Sequence, residues 1–405
     1  MSRPAFDFDA VLVGGGPAGS CAALSLVREH GIRPDAIAVL DKAVFPRDKP
    51  CAGAVSELGV KVLAELGVEL TVPHVRMRGV RILDAARVGA TECDMGIVAH
   101  RLDFDAMLLD ACRADGVSVR DGDALRGLER IAGGFALETQ SGRLTTRLLL
   151  ACDGAGSTTR KLLALREPAR KGHLYVLETD HGAGDLGVAQ GLCDFDLGVV
   201  DDGLEGYYWD FPTMIGGAPQ VSRGIYHANL SPRSDVKAVL ARSLALRGVD
   251  IERVKLRPFS TRPFVPETVL WLERVVFVGE AAGIDRTTGE GIAQSMEMAR
   301  IAARHVARAL RSGGRTFEPY AREVRGSTVG RHLLQSAWLS KRVYAPRLGR
   351  PARDFLVESA FARESGARWY RGEPLPLVTQ IGLALAMLGC RLGLRRTGAP
   401  RASAA

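Results

Sequence analysis

The chain alternates between short apolar runs and stretches with helical spacing. Residues 9–16, DAVLVGGG, form an apolar run that ends in glycines, and residues 17–31 continue with apolar positions three and four residues apart. A second apolar run, AIAVLDK, covers residues 36–42. The order of strand, glycine turn, helix and strand predicts a parallel β–α–β unit at the amino-terminal end.

Two later segments repeat the pattern of an apolar strand that ends in glycine. They are RLLLACDG at residues 147–154 and VVFVGEAAG at residues 275–283. Residues 289–310 then have the pattern of one long helix, and residues 101–115 that of a shorter amphipathic helix. Elements typical of one nucleotide-binding domain are therefore predicted in three separated pieces, with other material between them.

The stretch from residue 170 to residue 265 has a different pattern, with short strand-like runs, many glycines and an aromatic cluster. This pattern predicts an antiparallel sheet, which we interpret as a substrate domain. Tyr207, Trp209 and Phe211 occupy alternating positions and should share one face of a strand. They form either an ordinary core or an aromatic wall for a ligand.

Composition and charge narrow the function classes. The chain has 405 residues, of which 46% are hydrophobic and 25% are charged, as in a folded soluble protein. The net charge of +8 comes mostly from dispersed arginines and favours anionic partners such as phosphates, diphosphates or anionic lipid surfaces. No basic block is interleaved with aromatic residues, so we expect no nucleic-acid binding.

The seven cysteines lie far apart and include no C-x-x-C pair. We therefore expect neither a metal site nor a disulfide framework, and a reducing cytoplasm is the favoured compartment. The amino terminus carries the acidic residues Asp7 and Asp9, and the first strand begins almost immediately. This leaves no room for a signal peptide, so we expect none.

The first glycine turn has the spacing G-x-G-x-x-G, formed by Gly14, Gly16 and Gly19. Glycines at these positions permit a tight turn, a close approach of backbone to a pyrophosphate and close packing of helix on strand. Asp41 ends the second strand, where an acid would accept hydrogen bonds from a ribose or would merely cap a turn. The combination predicts dinucleotide binding.

The three strand–glycine segments, in this order, resemble the FAD-dependent hydroxylase and reductase superfamily (the p-hydroxybenzoate hydroxylase fold), over about residues 1–310. The last segment normally contains Gly-Asp, and here it contains Gly279-Glu280. Arg101, in HRLDFDAML, resembles an arginine that lies near the cofactor in this superfamily; a solvated helix arginine is the alternative.

The resemblance implies a set of FAD-binding residues. They are Gly14, Gly16, Pro17, Ala18, Gly19, Asp41, Lys42, Cys51, Ala52, Arg101, Asp153, Gly154, Arg160, Gly279, Glu280, Gly289, Gly291 and Ile292. The reductant implied is NAD(P)H or a small electron carrier. A helix that begins at Gly291 would direct its positive dipole end at reduced flavin.

The turn Pro50-Cys51-Ala52-Gly53 resembles the geranylgeranyl reductase branch, which carries a Pro-Cys-(Gly or Ala)-Gly turn beside the flavin. That branch also has a Tyr-x-Trp-x-Phe-Pro segment followed by Gly-x-Gly. Residues 207–212 are YYWDFP, and Ser222-Arg223-Gly224 stand at the Gly-x-Gly position. Cys51 is either a small buried filler or a group that positions or relays a proton.

We therefore expect an FAD-dependent oxidoreductase that reduces carbon–carbon double bonds of a polyprenyl or other hydrophobic substrate by hydride transfer. Cys51, Tyr207, Trp209 and Phe211 are its candidate catalytic residues. The alternatives are a flavin monooxygenase that hydroxylates or epoxidises and, with less support, a flavin-dependent halogenase. A flavoprotein without enzymatic activity is a further alternative.

The predicted fold is α/β: a Rossmann-like FAD-binding domain assembled from discontinuous segments, an inserted antiparallel-sheet substrate domain and a helical carboxyl-terminal region. The predicted boundaries assign 1–75, 101–170 and 266–325 to the FAD-binding domain, 76–100 and 171–265 to the substrate domain, and 326–405 to the helical region.

Residues 377–390, LVTQIGLALAMLGC, form an apolar run that is shorter than the roughly 20 residues needed to span a bilayer. It predicts a helix that packs on its own domain, lies on a membrane surface or covers a channel for an apolar substrate. We expect a hydrophobic small molecule or lipid as substrate. The sequence does not indicate an oligomeric state.

Overall fold

The computed structural model describes residues 6–168, 171–182, 184–229, 235–285, 289, 291–345, 349–373 and 377–391. Its strands are β1 Phe8–Val13, β2 Ile37–Asp41, β3 Ala54–Ser56, β4 His74–Asp84, β5 Arg87–Ala99, β6 Ser118–Asp121, β7 Leu125–Ile131, β8 Gly134–Thr139, β9 Gly142–Ala151, β10 Gly172–Thr179, β11 Leu192–Asp196, β12 Gly206–Ile215, β13 Ala218–His227, β14 Arg257–Thr261, β15 Trp271–Leu272 and β16 Val275–Phe277.

The helices occupy both the spaces between strands and the end of the chain. They are α1 Pro17–Arg28, α2 Glu57–Glu65, α3 Arg101–Ala114, α4 Thr158–Leu162, α5 Leu186–Ala189, α6 Val236–Ala245, α7 Ile292–Ser312, α8 Glu318–Gly326, α9 Thr328–Val343, α10 Arg350–Glu358, α11 Ala360–Tyr370 and α12 Leu377–Arg391.

The first sheet is built around parallel strands in the order β16–β9–β1–β2–β6. Ala10, Val11 and Leu12 of β1 are completely buried although they alternate between the two faces. A parallel strand that is covered on both faces needs an unbroken apolar run, which is the pattern found at residues 9–16. Helices α1 and α7 pack against each other beside this sheet.

The second sheet has the order β14–β10–β13–β12–β11–β4–β5–β3. Its neighbouring strands are antiparallel, as expected, except that β11 runs parallel to β4. A parallel pair needs a long connection, and the chain between β4 and β11 includes strands β6 to β9 of the first sheet. The small strand β3 ties the segment after Cys51 to this second sheet.

The carboxyl-terminal helices cover one face of the second sheet. Helices α10 and α11 pack on β4 and β5, and their apolar residues form one cluster with Tyr207, Trp209 and Phe211. Tyr208 joins a separate cluster with α6 on the opposite face. The expected sharing of one face by Tyr207, Trp209 and Phe211 is confirmed, as are the mixed α/β class and the helical carboxyl-terminal region.

Buried charged side chains lie on the opposite face of the second sheet, away from α10 and α11. Arg223 donates to Asp185 and to Asp210, each at 2.6 Å, and all three side chains are buried. Arg247 pairs with Asp210 and lies 3.1 Å from Asp196. Fully paired charges of this kind hold strands β12 and β13 in place, because loss of one partner leaves the other uncompensated.

Candidate cofactor cleft and substrate cavity

Two internal spaces meet between the sheets. The first, which we call the cleft, has a volume of about 540 Å³ and lies where β1, β2 and β9 end. The second, which we call the cavity, has a volume of about 240 Å³ and lies between the second sheet and helices α9–α11. Five residues line both spaces, namely Cys51, Leu174, Gly289, Gly291 and Ile292.

The glycine turn shapes the floor of the cleft. Gly14 has a φ of +110°, and a Cβ atom there would collide with the Cys152 carbonyl oxygen. A Cβ atom on Gly19 would collide with the Gly14 carbonyl, so helix α1 starts directly against the strand. Gly16 caps α1 without a side-chain hydrogen bond, which leaves backbone N–H groups of the first turn for an anion.

Asp41 holds this turn from the end of β2. Its carboxylate accepts hydrogen bonds from the Gly15 backbone N–H at 2.8 Å and from the Ala43 N–H at 2.9 Å. Asp41 and Lys42 both line the cleft. The acid therefore fixes the glycine backbone as well as presenting oxygen atoms at the position predicted for a ribose.

Asp153 is held in a similar way at the end of β9. It accepts from Ser157 Oγ at 2.6 Å and from the Thr159 N–H at 2.8 Å, and it lines the cleft beside Gly154. Arg160 does not reach the cleft lining. Its guanidinium donates to the carbonyl oxygens of Val269 and Ala281, because α4 turns it beneath the first sheet.

A buried ion pair lies behind the cleft at the start of α3. Arg101 Nε and Nη2 donate to the two carboxylate oxygens of Asp105, each at 2.6 Å, and Arg47 Nη2 lies 2.8 Å from the same carboxylate. Burial alone would lower the pKa of Arg101, but Asp105, with a smaller contribution from Cys51, raises it overall. Arg101 is 4% exposed and is therefore not a solvated helix arginine.

Lys49 and Glu280 both line the cleft, and the charge of each affects the pKa of the other. Burial lowers the pKa of Lys49, whose ammonium lies 4.7 Å from the centre of the Phe259 ring. Burial raises the pKa of Glu280 to about 7, against the opposing effect of Lys49. Glu280 Oε2 is buried with no hydrogen-bond partner among the described residues. An oxygen atom in that state is suited to a hydroxyl donor from a ligand.

The Pro-Cys-Ala-Gly turn lies where the cleft and the cavity join. Gly53 has a φ of +80°, and a Cβ atom there would collide with the Ala99 carbonyl oxygen. The Ala99 N–H donates to the Gly53 carbonyl at 3.0 Å, which binds the turn to the end of β5. Cys51 Sγ accepts from the Gly53 N–H at 3.4 Å, and the thiol contributes in a small part to the raised pKa of Arg101.

The cavity is walled by aromatic rings on the sheet side. Tyr207, Trp209 and Phe211 line it together, and a Cβ atom on Gly224 would collide with the Trp209 ring. The opposite side is contributed by helices α9 to α11. The lining residues from these helices are Leu339, Ser340, Val343, Tyr344, Leu356, Ala362, Arg363, Gly366, Ala367, Trp369 and Tyr370.

Asp285 organises the junction and was not predicted. Its carboxylate accepts hydrogen bonds from Tyr226 Oη, Thr261 Oγ1 and the Gly289 N–H. Tyr226 lines the cavity and Thr261 lines the cleft, so one buried acid holds both walls and the segment before α7. The only sequence signal was its place in the glycine-rich stretch after Gly279-Glu280.

Most of the predicted site residues meet at these two spaces. Those that line the cleft are Gly14, Gly16, Pro17, Ala18, Asp41, Lys42, Cys51, Arg101, Asp153, Gly154, Glu280, Gly289, Gly291 and Ile292. Those that line the cavity are Cys51, Ala52, Tyr207, Trp209, Phe211, Gly289, Gly291 and Ile292. Gly19, Arg160 and Gly279 line neither space. Arg47 and Lys49 were missed, although they flank the same turn in FPRDKPCAG.

Glu280 predicts a pH-dependent difference in stability. Because burial raises the pKa of Glu280 from 4.5 to about 7 in the ligand-free fold, its favourable contribution is present below pH 4.5 and is lost as the pH rises through 7. Glu280→Gln removes this dependence. Urea unfolding of ligand-free protein at about pH 5 and about pH 8 should show wild type losing more unfolding free energy than the variant.

The exposed Glu318 provides the control, since its carboxylate lies on the outside of α8. Glu318→Gln should leave the wild-type pH dependence in place. Equal pH dependence in wild type and Glu280→Gln would contradict the assignment of a buried, proton-binding carboxyl to this wall.

The comparisons with known proteins point to one cofactor. The family described as FAD binding domain matches residues 7–187. A menaquinone reductase of Mycobacterium tuberculosis is 28% identical over 331 residues, which cover 73% of this chain and 75% of the relative. The geranylgeranyl diphosphate reductase of Rhodobacter capsulatus is 26% identical over 322 residues, which cover 76% of each chain.

Solved structures show the same fold. A geranylgeranyl bacteriochlorophyll reductase-like protein of Thermoplasma acidophilum has a TM-score of 0.75 at 20% identity, with 93% of this chain and 99% of that chain covered. A p-nitrophenol 4-monooxygenase of Pseudomonas putida has a TM-score of 0.67 at 16% identity, with coverage of 91% and 99%. A halogenase in complex with phloroglucinol and FAD has a TM-score of 0.68 at 14% identity, with coverage of 96% and 93%.

The family match and the shared fold are consistent with a cleft whose glycine turn is shaped to bind a dinucleotide such as FAD. Residues 7–187 match the family described as FAD binding domain, and a geranylgeranyl diphosphate reductase and a menaquinone reductase are among the relatives of the chain.

Proposed function

We propose that this protein reduces carbon–carbon double bonds of a polyprenyl or related hydrophobic substrate. The observation that carries this proposal is the junction at Cys51, where an apolar, aromatic-walled cavity opens into the cleft. An alkene offers no strong polar handle, so a site for it must hold it by apolar and aromatic surface against the reacting atom. The similarity to reductases of polyprenyl-type compounds supports the same activity.

The cleft residues fit FAD. The turn at Gly14 and Gly19 has no room for side chains, and the first turn of α1 offers backbone N–H groups to a diphosphate. Asp41 and Glu280 present carboxylate oxygens to hydroxyl groups, and Glu280 Oε2 has no other partner among the described residues. The start of α7 would place its positive dipole end at the junction, where reduced flavin carries negative charge.

The reduction needs a hydride at one carbon and a proton at the other. FAD, when bound and reduced, supplies the hydride, and we propose NAD(P)H or a small electron carrier as the source of its electrons. The chain must supply the proton within the cavity. Cys51 lines both spaces at the junction, so its thiol can donate that proton to the substrate, and the nearby positive charge of Arg101 would stabilise the thiolate that remains. The rings of Tyr207 and Trp209 orient the chain of the substrate.

An oxygen-free turnover experiment tests the proposed activity. Protein with FAD, reduced by dithionite in the absence of oxygen, is expected to saturate a double bond of a polyprenyl substrate, detected as a mass increase of two hydrogens. Product that forms only after oxygen is admitted, and that contains an oxygen atom, would establish a monooxygenase instead. Product that also requires chloride or bromide would establish a halogenase.

Cys51→Ala is expected to retain FAD and to slow alkene reduction by about a hundredfold or more, since proton transfer by a positioned group contributes on that scale. FAD content is measured by absorbance, and single-turnover rates are measured with excess reduced protein. The control is Cys93→Ala, which removes another half-buried thiol of the same sheet that is not among the lining residues of the cavity. Unchanged turnover in Cys51→Ala would restrict Cys51 to packing.

We further propose that α12 contacts a membrane surface. Leu377, Val378, Ile381, Leu385 and Leu388 are each at least half exposed and recur at helical spacing. Trp338 of α9 is also exposed and carries the Arg342 guanidinium 3.5 Å from its ring centre, a pairing suited to an anionic interface. Among the described residues, none of the helices is long and apolar enough to cross a membrane.

Replacement of Leu385 and Leu388 together by Glu should reduce co-flotation of the full-length protein with vesicles of anionic phospholipid by about tenfold or more, because two apolar anchors become charged. Leu246→Glu is the control, since Leu246 is 84% exposed beyond α6 and lies on the other side of the second sheet. Equal flotation of wild type and the double variant would exclude α12 as the contact surface.

A further inference from the structure

We infer that Arg363 binds an anionic phosphate-type group at the end of the substrate that lies away from the cofactor. This inference rests on the proposed function, because it assigns the substrate class of the same cavity. Among the described residues that line the cavity, Arg363 is the only one with a charged side chain. The other lining residues are apolar, aromatic or uncharged.

The contacts of Arg363 leave donors available. Nε donates to the Ala90 carbonyl at 2.9 Å and lies 3.3 Å from Thr91 Oγ1, and Nη1 donates to the Val357 carbonyl. All three acceptors are uncharged. A guanidinium carries five N–H groups, so those on Nη2 and one on Nη1 remain for a ligand.

The absence of an acid at Arg363 distinguishes it from nearby arginines. Among the described residues, Arg353 pairs with Asp201, and Arg368 and Arg371 pair with Glu373, whereas no carboxylate lies within ion-pair distance of Arg363. A partly buried cation beside apolar surface is costly unless an anion accompanies it. We therefore assign the negative charge that would pair with Arg363 to the ligand of the cavity.

The backbone beneath Arg363 is shaped to admit its guanidinium. A Cβ atom on Gly89 would lie only 2.8 Å from Arg363 Nη1, so a larger residue there would displace the side chain. Gly89 and Thr91 pair with Ile82 and Val80 across the hairpin, and these two apolar residues line the cavity. The guanidinium therefore lies on the same face of the sheet as the cavity.

Arg363 and the cofactor junction mark opposite ends of this cavity. Val98 of β5 pairs with Ala54 next to the Cys51 turn, seven residues along the strand from Thr91. Their partners on β4, Val80 and Val75, are only five residues apart, because the register shifts between Met77 and Gly79. At about 3.3 Å per residue, the separation is roughly 17 Å. An elongated molecule could contact both ends of the cavity at once, with a phosphate or diphosphate at Arg363 and a double bond near the cofactor junction. A neutral quinone head group would leave the arginine without a counter-charge.

The test compares two lipids with the same hydrocarbon chain, geranylgeranyl diphosphate and the uncharged geranylgeraniol. Binding to oxidised, FAD-loaded full-length protein is measured by calorimetry or by a change in flavin fluorescence, so turnover is not required. Wild type is expected to bind the diphosphate roughly ten- to a hundredfold more tightly than the alcohol, the scale of charge-assisted hydrogen bonds. Arg363→Gln should abolish that preference and leave the affinity for the alcohol unchanged.

Two further variants separate recognition from damage to the fold. Arg363→Lys keeps the charge but not the planar fork, so part of the preference should remain. Arg368→Gln, on the same helix, should bind both lipids as wild type does. Inorganic diphosphate alone serves as a third ligand: if it competes as strongly as the prenyl diphosphate, the site recognises free diphosphate rather than a lipid, and the inference is wrong.

The outcomes distinguish this inference from the proposed function. Suppose that wild type reduces both lipids but binds them with equal affinity, or that Arg363→Gln lowers the affinity for both lipids equally. Arg363 then does not recognise the anionic end, although the reductase activity stands. If the diphosphate preference depends on Arg363 but no double bond is reduced under any condition, the subsite stands and the proposed activity fails. If wild type binds neither lipid, both are overturned.

Discussion

The site depends on one buried ion pair, that of Arg101 and Asp105. The pair occupies the first turn of α3, directly after Ala99, whose backbone is bonded to Gly53 of the Pro-Cys-Ala-Gly turn. Loss of one partner from a buried pair commonly costs about 3–5 kcal/mol, because the remaining charge is left without compensation. The start of α3, the cysteine turn and the end of β5 are thus fixed relative to one another, and this arrangement places Cys51 between the cleft and the cavity.

The two spaces that meet there have opposite chemical character. The cleft is lined by backbone N–H groups and by charged side chains such as Lys49 and Glu280, as a dinucleotide requires. The cavity is lined by aromatic and aliphatic side chains, with Arg363 at the end away from the junction. Such a division lets a polar cofactor and an apolar chain be held separately, with contact limited to the residues that both spaces share. The fold achieves it by joining each space to a different sheet.

The strands and glycine turns could be predicted from the sequence because their signals are local. An unbroken apolar run identifies a parallel strand, and the spacing of Gly14 and Gly19 identifies the turn. Asp285 and Arg363 gave no comparable signal, since their roles depend on groups far away in the chain, Tyr226 and Thr261 for the acid and Ala90 for the arginine. Arg160 was assigned to the cofactor from its position after a glycine turn, but the direction of its side chain is set by the short helix α4. Residues 392–405, which include Arg395 and Arg396 after the apolar run, lie outside the described residues.

Ser222-Arg223-Gly224 replaces only the first glycine of Gly-x-Gly, and the strand pairing explains why the second is kept and where the middle residue points. Side chains alternate between the faces of a strand, so Gly224 lies on the cavity face opposite Trp209, and Arg223 lies on the other face. The glycine that the Trp209 ring needs is therefore retained. Arg223 instead enters the buried charges with Asp210, which alternates with Trp209 along β12. Strands β12 and β13 thus present the aromatic wall of the cavity on one face. The alternate residues, on the other face, form the ion pairs that keep that wall in register.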